Sequence, residues 1–349
     1  MAGGQGTRFW PESTSKKPKQ YLSLLGEKSL LAQSLERFEG LVEAPKRFIV
    51  TVKAQDQLAK ECSSDLVGRN ALIFEPSGRN TAPCILLSIA SLIAKGAKPE
   101  DVVAIVPSDH VILNTEGFQS VMREAYEAAY RHKSIVTIGI PPNFPHTGYG
   151  YIEKAEEAAS GVFNVKCFKE KPDFETAKGY VASGKYLWNA GMFVAQLGVL
   201  LEEFEKNSSE TFAFYKGLKY NIDDFTSLTN VYNQIPKNSI DYAIMEKSKR
   251  VMVIPARFDW NDLGSWDALE SVIPQENNNT FVQCEGQYIE NAKGNIVYTP
   301  GLFATLINVE DLIVVANDKA LMIVPKKDAQ KVKNAVEFLK GKEAYKDLL

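Results

Sequence analysis

The chain is poor in the residues that staple or metallate small proteins. Its three histidines, His110, His132 and His146, show no zinc-ligand spacing, and its four cysteines, Cys62, Cys84, Cys167 and Cys284, form no Cys-x-x-Cys pair. Neither a structural zinc site nor a disulfide framework is expected, and the thiols read as free and buried. No run of about 18 or more apolar residues occurs, so no membrane span is predicted. The N-terminus lacks a signal-peptide pattern, which favours the cytoplasm. Basic charge is not in excess: 40 Lys and Arg stand against 43 Asp and Glu, for a formal net charge of −3. That balance argues against a general nucleic-acid or membrane-surface binder, so any anion site must be local. What remains is ordinary for a soluble globular protein, 45% hydrophobic and 24% charged over 349 residues. Such a length can bury one large domain, or one large and one small.

Against that neutral background the first twenty residues stand out. They carry Gly3-Gly4-Gln5-Gly6-Thr7-Arg8-Phe9-Trp10-Pro11 and then Lys16-Lys17-Pro18-Lys19-Gln20. Glycines let a backbone turn its N–H groups inward on a polyanion. Arg8 can fork onto two phosphate oxygens, while Lys17 and Lys19 supply compact point charges. The dinucleotide fingerprint fails because Phe9 stands where its third glycine is required, and no Gly-Lys-Ser/Thr follows to make a Walker A loop. The extended string with its downstream Pro-Lys-Gln resembles the signature of the sugar-1-phosphate nucleotidylyltransferases. Its Phe-Trp-Pro and Pro-Lys-Gln elements look most like the mannose-1-phosphate guanylyltransferase branch.

Apolar, β-branched runs at 47–52, 71–74, 102–106 and 134–138 read as buried strands, separated by helical patterns. Thr81 is a candidate N-cap with Pro83 in the first turn, and Asn114 or Thr115 could cap a second helix ending near His132. This alternation predicts an α/β fold with a doubly wound, mostly parallel sheet and ligands at the strands' carboxyl ends. From Gly148 the pattern becomes mixed, with strands at 149–154, 162–168, 192–196 and 250–254. The polar run 274–279 reads as a linker between a catalytic domain over 1–273 and a small β-rich module with a final helix over 281–349. The resemblance implies a short left-handed β-helix in that module, although no internal repeat is evident. It also implies an apolar strand ahead of the glycine loop, so that Met1 stands where that strand would end. An isomerase domain of the cupin type, which some relatives carry after this region, is not expected.

Three further constellations carry chemistry. Pro107-Ser108-Asp109-His110 follows a predicted strand, and Phe258-Asp259-Trp260-Asn261-Asp262-Leu263-Gly264 follows another. Either aspartate alone reads as a loop or cap residue; together with nucleotide phosphates they would make a magnesium site. The second constellation, Glu75-Pro76-Ser77-Gly78-Arg79-Asn80-Thr81, is a polar loop before a helix, and Glu75 could accept from the N1–H and exocyclic amine of guanine. The third joins Thr147-Gly148-Tyr149-Gly150-Tyr151, Lys169-Glu170-Lys171-Pro172 and Trp188-Asn189-Ala190-Gly191, where glycine, polar groups and aromatics suit a sugar pocket. Ser239-Ile240-Asp241 reads first as a helix start, and Asp267 as a first-turn residue of the helix after Ser265.

The resemblance assigns roles to these positions. Arg8, Lys19, Asp109 and Lys171 are the expected catalytic residues, with Asp109 and Asp262 holding Mg2+ or another divalent cation. Gly3, Gly4, Gly6, Thr7, Arg8, Lys19, Glu75, Asn80, Thr81 and Ser108 would bind the nucleotide, with Lys19 taking up charge on the triphosphate. Gly148, Tyr149, Glu170, Lys171 and Asn189 would bind the sugar phosphate. The implied substrates are GTP and mannose 1-phosphate, giving GDP-mannose and pyrophosphate. Lys169, where the family has valine, leaves glucose or heptose 1-phosphate as alternatives, and a non-catalytic sugar-nucleotide sensor stands outside the enzyme class. A homodimer is compatible with these readings.

Overall fold

The computed structural model describes residues 1–4 and 6–349; Gln5, inside the glycine segment, lies outside the described residues. Eight strands build the larger part: β1 (Ile49–Val52), β2 (Leu72–Glu75), β3 (Val102–Ile105), β4 (Ile135–Ile140), β5 (Tyr151–Ala159), β6 (Val162–Lys169), β7 (Tyr186–Gln196) and β8 (Val251–Pro255). Alternation along the central strands divides their side chains between two cores. Ile135, Phe193, Ala195, Val251 and Val253 face the helix Thr81–Ala94. Their neighbours Val136, Ile138, Met192, Val194, Met252 and Ile254 face the helix Thr115–His132. Period two on the strands and helices on both faces make this an α/β layer structure.

Strand direction departs from the expectation of a mostly parallel sheet. The six-stranded sheet runs β3-β7-β4-β8-β6-β5, with β5 also pairing β7. Only β4–β8 is parallel within it, while β3–β7, β4–β7, β5–β6, β5–β7 and β6–β8 are antiparallel. β1 and β2 form a separate parallel pair. The cause lies in β7, which is covered on both faces over most of its length. A strand buried on both sides reads as a continuous apolar run whichever way its neighbours point. The cap of the first helix also shifted by one residue. Asn80, at φ 70°, caps the first helix through its side chain on Thr81 N, whereas Thr81 itself lies inside. Asn114 caps the second as expected.

Between β1 and β3 runs the first dipeptide. Ala2 N donates to Val50 O at 2.8 Å, the Met1 ammonium to Val106 O at 2.8 Å, and Ser108 N to Met1 O at 3.1 Å. The glycine segment therefore leaves the sheet beside the end of β3, where Asp109 follows.

The C-terminal module contains β9 (Thr280–Val282), β10 (Gly286–Glu290), β11 (Ile296–Tyr298), β12 (Phe303–Ile307), β13 (Leu312–Ala316) and β14 (Leu321–Pro325), then the helix Val332–Lys340. Thr280 stands opposite Ile296, Ile296 opposite Ile313, and Gly286 opposite Phe303, all in parallel, so each coil takes 16 or 17 residues. This period escaped the sequence because β9 and β10 carry too few apolar residues to announce themselves. The polar run before β9 is exposed over residues 274–278, but its last residue, Asn279, is 1% exposed and tied into the module. Its side chain bonds Ala292 O, and Asn295 stacks on it, donating to Asn279 Oδ1 at 2.9 Å and to Val309 O at 3.0 Å while accepting from Leu312 N. The module also shares a core with the start of the chain. Phe9, Trp10, Leu22 and Leu24 are buried with Trp266, Ile296, Tyr298, Ile313, Val332 and Val336. Trp10 Nε1 donates to Leu348 O, and Asn317 Nδ2 to Pro11 O.

Replacing Asn295 by alanine strands several buried donors and acceptors at once. Asn295→Ala is expected to cost at least about 2 kcal/mol. Urea unfolding of the variant checks this, and a loss below about 1 kcal/mol would contradict the role given to the stacked asparagines.

Candidate active site

The two acidic segments, far apart in sequence, are paired to one another. Val111 and Asn261 exchange backbone hydrogen bonds at 2.8 and 3.0 Å, an antiparallel bridge that draws together the segments carrying Asp109 and Asp262. Lys19 closes the junction. Its ammonium lies 3.0 Å from Asp109 Oδ2 and donates to Asp262 O at 2.6 Å and Leu263 O at 2.8 Å. Lys19 is 5% exposed, and an ammonium has three N–H groups. All three are spent inside the protein. In this structure Lys19 ties the two acidic segments together. Burial raises the Asp109 carboxyl more than any single neighbour lowers it, but the Lys19 charge and hydrogen bond, with His110 and the Met1 ammonium, together outweigh it and hold the group below the usual aspartate value.

The glycine segment arches over this lysine. Gly6 adopts φ 60°, and a Cβ there would stand 2.4 Å from Lys19 Cβ, so only glycine fits. Gly3 and Gly4 are exposed and lack positive φ. A Cβ on Gly4 would meet nothing within 4 Å, and one on Gly3 only Glu75 Oε2 at 3.5 Å. Their smallness is therefore not demanded by protein packing; it leaves the backbone open to a bound group. Arg8 is exposed, with one guanidinium nitrogen on Gly264 O at 2.7 Å. Thr7 follows Gly6 in a single helical turn.

Glu75 ends β2 and is 4% exposed. The Tyr232 hydroxyl donates to it. Burial pushes the Glu75 carboxyl up, against the lowering pull of Tyr232. Asn80 and Thr81 are committed locally: Asn80 caps its helix, and Thr81 Oγ1 accepts from Ile240 N at 2.7 Å. Ser108 is buried beside Met1.

On the opposite side, Tyr149 donates to Asp262 Oδ1 at 2.8 Å, and the next residue, Gly150, opens the third constellation. A Cβ on Gly150 would stand 2.8 Å from Glu170 Oε2 and 3.6 Å from Asn189 Cβ. Asn189 N donates to Gly150 O, and Lys171 Nζ sits 2.6 Å from Glu170 Oε1. Glu170, Lys171 and Asn189 thus gather around Gly150, one peptide away from the tyrosine that holds Asp262. Gly148 donates to His146 Nδ1, whose ring stacks on Tyr149 at 3.8 Å.

Four contributors were not anticipated. Gly150 lies in a motif that assigns it no role of its own. Arg37 is buried and places two nitrogens on His110 O, each at 3.1 Å, fixing the turn that carries Asp109. Trp260 Nε1 donates to His110 Nδ1 at 3.1 Å, and burial keeps that imidazole neutral, its pKa down at about 4. Asp241 accepts from Asn189 Nδ2 at 2.8 Å. Gly150, Trp260 and Asp241 carried a local signal, since each stands in a motif; Arg37 carried none.

Among the described residues no cluster of three or more His, Cys, Asp or Glu could hold a metal ion. Asp109 and Asp262 each have one oxygen engaged, with Lys19 and Tyr149 respectively, and a second left over. Two such carboxylates fit a hard divalent cation that keeps several waters and takes phosphate oxygens for the rest.

Residues 1–279 match the family model described as nucleotidyl transferase, and residues 289–339 that described as MannoseP isomerase/GMP-like β-helix domain. The chain belongs to the nucleotidyl transferase family. Over 360 residues this nucleotidyl transferase is 36% identical to the mannose-1-phosphate guanylyltransferase of Escherichia coli (strain K12), covering 98% of this chain and 73% of that protein. It is 34% identical over 347 residues to the mannose-1-phosphate guanylyltransferase of Klebsiella pneumoniae, with coverages of 97% and 73%. Among solved structures it is similar to a mannose-1-phosphate geranyltransferase from Thermus thermophilus. That likeness has TM-score 0.88 and 32% identity over 97% of this chain and 98% of that one.

Glu75 offers a stability test with a definite sign. A carboxyl raised by burial binds its proton more readily when folded, so stability falls as pH rises from about 4.5 through its folded value. Glu75→Gln removes that penalty and keeps an acceptor for Tyr232. The variant is expected to melt at or above the wild-type temperature at about pH 7, with the gap closing near about pH 4.5. A lower melting temperature at neutral pH would refute the assignment.

Proposed function

We propose that this nucleotidyl transferase joins GTP and mannose 1-phosphate into GDP-mannose and pyrophosphate. The observation that carries the reading is the junction at Lys19. Two acidic segments meet beneath an open glycine loop, and Tyr149–Gly150 links them to a hydroxyl-recognising group of Glu170 and Asn189 with Lys171 beside it. An anion site, a cation site and a polyol site thus adjoin one another, as transfer between a triphosphate and a sugar phosphate requires. The names of the relatives supply the sugar and the base.

In the reaction, a phosphate oxygen of the sugar phosphate attacks the α-phosphorus in line. One P–O bond forms, the bond from the α-phosphorus to the bridging oxygen breaks, and pyrophosphate leaves with the electron pair. The attacking phosphate is already ionised, so no protein base is needed. The chain's work is positioning and charge neutralisation. Backbone N–H groups around Gly3 and Gly4, with Arg8, receive the triphosphate. Glu75, ending β2 beside Gly3, reads guanine. Lys171 screens the incoming phosphate, whose charge otherwise repels its target. Asp109 and Asp262 would hold a divalent cation such as Mg2+, which supplies charge neutralisation on the phosphates when bound. Lys19 keeps those two carboxylates in register. The catalytic domain is read as 1–273 and the β-rich module as 281–349, in a cytoplasmic setting. No helix is long and apolar enough to cross a membrane among the described residues.

Pyrophosphate release over a matrix of nucleoside triphosphates and sugar 1-phosphates tests the reading. GTP with mannose 1-phosphate should give the highest kcat/KM, and a chelator should abolish turnover. Equal or faster turnover with another pair would overturn the substrate assignment. Lys171→Ala should lower kcat/KM for the sugar phosphate by roughly a hundredfold, the scale for losing one transition-state charge contact. Asp109→Ala should lower kcat by at least as much, read in the same assay alongside a melting curve that reports an intact fold. Activity within a few-fold of wild type would remove that residue from the mechanism.

A further inference from the structure

The segment 239–246 reads from the sequence as a helix start, and the reaction above makes no use of it. Its position is fixed from two sides. Ala82 N donates to Asn238 O at 3.1 Å and Ile240 N to Thr81 Oγ1 at 2.7 Å, pinning it to the helix that follows the Glu75 loop. Ala243, Ile244 and Met245 anchor its other face in the core. Asp241–Met245 then forms a π turn, with Glu246 N on Asp241 O at 2.9 Å. Turns of that kind are uncommon and often occur at functional sites.

Asp241 is the first residue of this turn, after the N-cap Ile240. Its Oδ1 receives Asn189 Nδ2 at 2.8 Å, while Asn189 Oδ1 accepts from Gly191 N at 3.0 Å. Both ends of the amide are therefore specified, and neither rotation nor a flip of oxygen and nitrogen preserves the two bonds. The arrangement places an acidic side chain beside a second one. Burial and the Glu170 charge both push the Asp241 carboxyl up, which its own main-chain N–H, Asn189 and Lys171 only partly offset. Packing does not call for such a neighbour, since two adjacent carboxylates repel. Its cost is consistent with a task at the site.

We infer that Asp241 is a positioning residue of the sugar-phosphate side, holding the Asn189 amide so that its remaining N–H meets a sugar hydroxyl next to Glu170. This rests on the sugar-phosphate reading of that pocket but not on which sugar occupies it. Asp241→Ala frees the amide, and Asp241→Asn keeps an acceptor at the same reach without the charge. Kinetics are read with whichever sugar 1-phosphate the wild type turns over fastest, so a wrong sugar assignment leaves this test standing. Asp241→Ala should raise KM for the sugar phosphate about tenfold, the scale of one lost hydrogen bond of this kind. KM for the triphosphate should stay within about twofold. Asp241→Asn should recover most of the loss and melt no lower than wild type. Equal changes in both KM values, an unchanged KM for the sugar phosphate, or an asparagine variant as impaired as the alanine one would each overturn the inference. A wild type that releases pyrophosphate from no pair would remove both this role and the proposed reaction.

Discussion

One buried ammonium organises this molecule's chemistry. Lys19 holds a carboxylate from the end of β3 and two main-chain carbonyls from the segment after β8, elements that no local interaction brings together. A buried cation with all its donors used tolerates little displacement, because each lost partner leaves charge uncompensated away from water. The bridge between Val111 and Asn261, the Arg37 clamp on His110 and the arch of Gly6 all serve the same geometry. Fixed positions matter in a reaction that needs no proton transfer, since there the protein contributes mainly by placing charge before the substrates arrive.

From this junction contacts run in two directions. On one side Gly3 lies against Glu75, whose carboxyl Tyr232 steadies. On the other, Tyr149 touches Asp262 and Gly150 admits Glu170 and Asn189. Tyr149 sits under an apolar cluster with His146, Trp188 and Trp260, so its hydroxyl has little freedom to turn from Asp262.

Much of this was legible in the sequence where chemistry is written locally. The glycine and Pro-Lys-Gln strings, the two aspartates after apolar strands and the Glu-Lys-Pro and Asn-Ala-Gly segments all proved to face one region. Strand direction was not legible, because β7 is covered on both faces and a buried run carries no sign of its neighbours' polarity. The solenoid period was hidden for a related reason, since coils are matched by stacked asparagines and a few inward apolar residues rather than by a repeated string. Lys19 was found but its tie between the two acidic segments was not, because a lysine in a basic cluster shows nothing of its main-chain partners until the fold is known. Arg37 left no trace, as its partner is a main-chain carbonyl.

The shared core between the chain's start and its solenoid carries one more consequence. Phe9, Trp10, Leu22 and Leu24 are covered by side chains contributed from Leu263 onward. Cutting the protein before β9 would not release a minimal enzyme. It would lay bare the underside of the anion loop, and the exposed indole and phenyl rings would invite self-association before any nucleotide could be gripped.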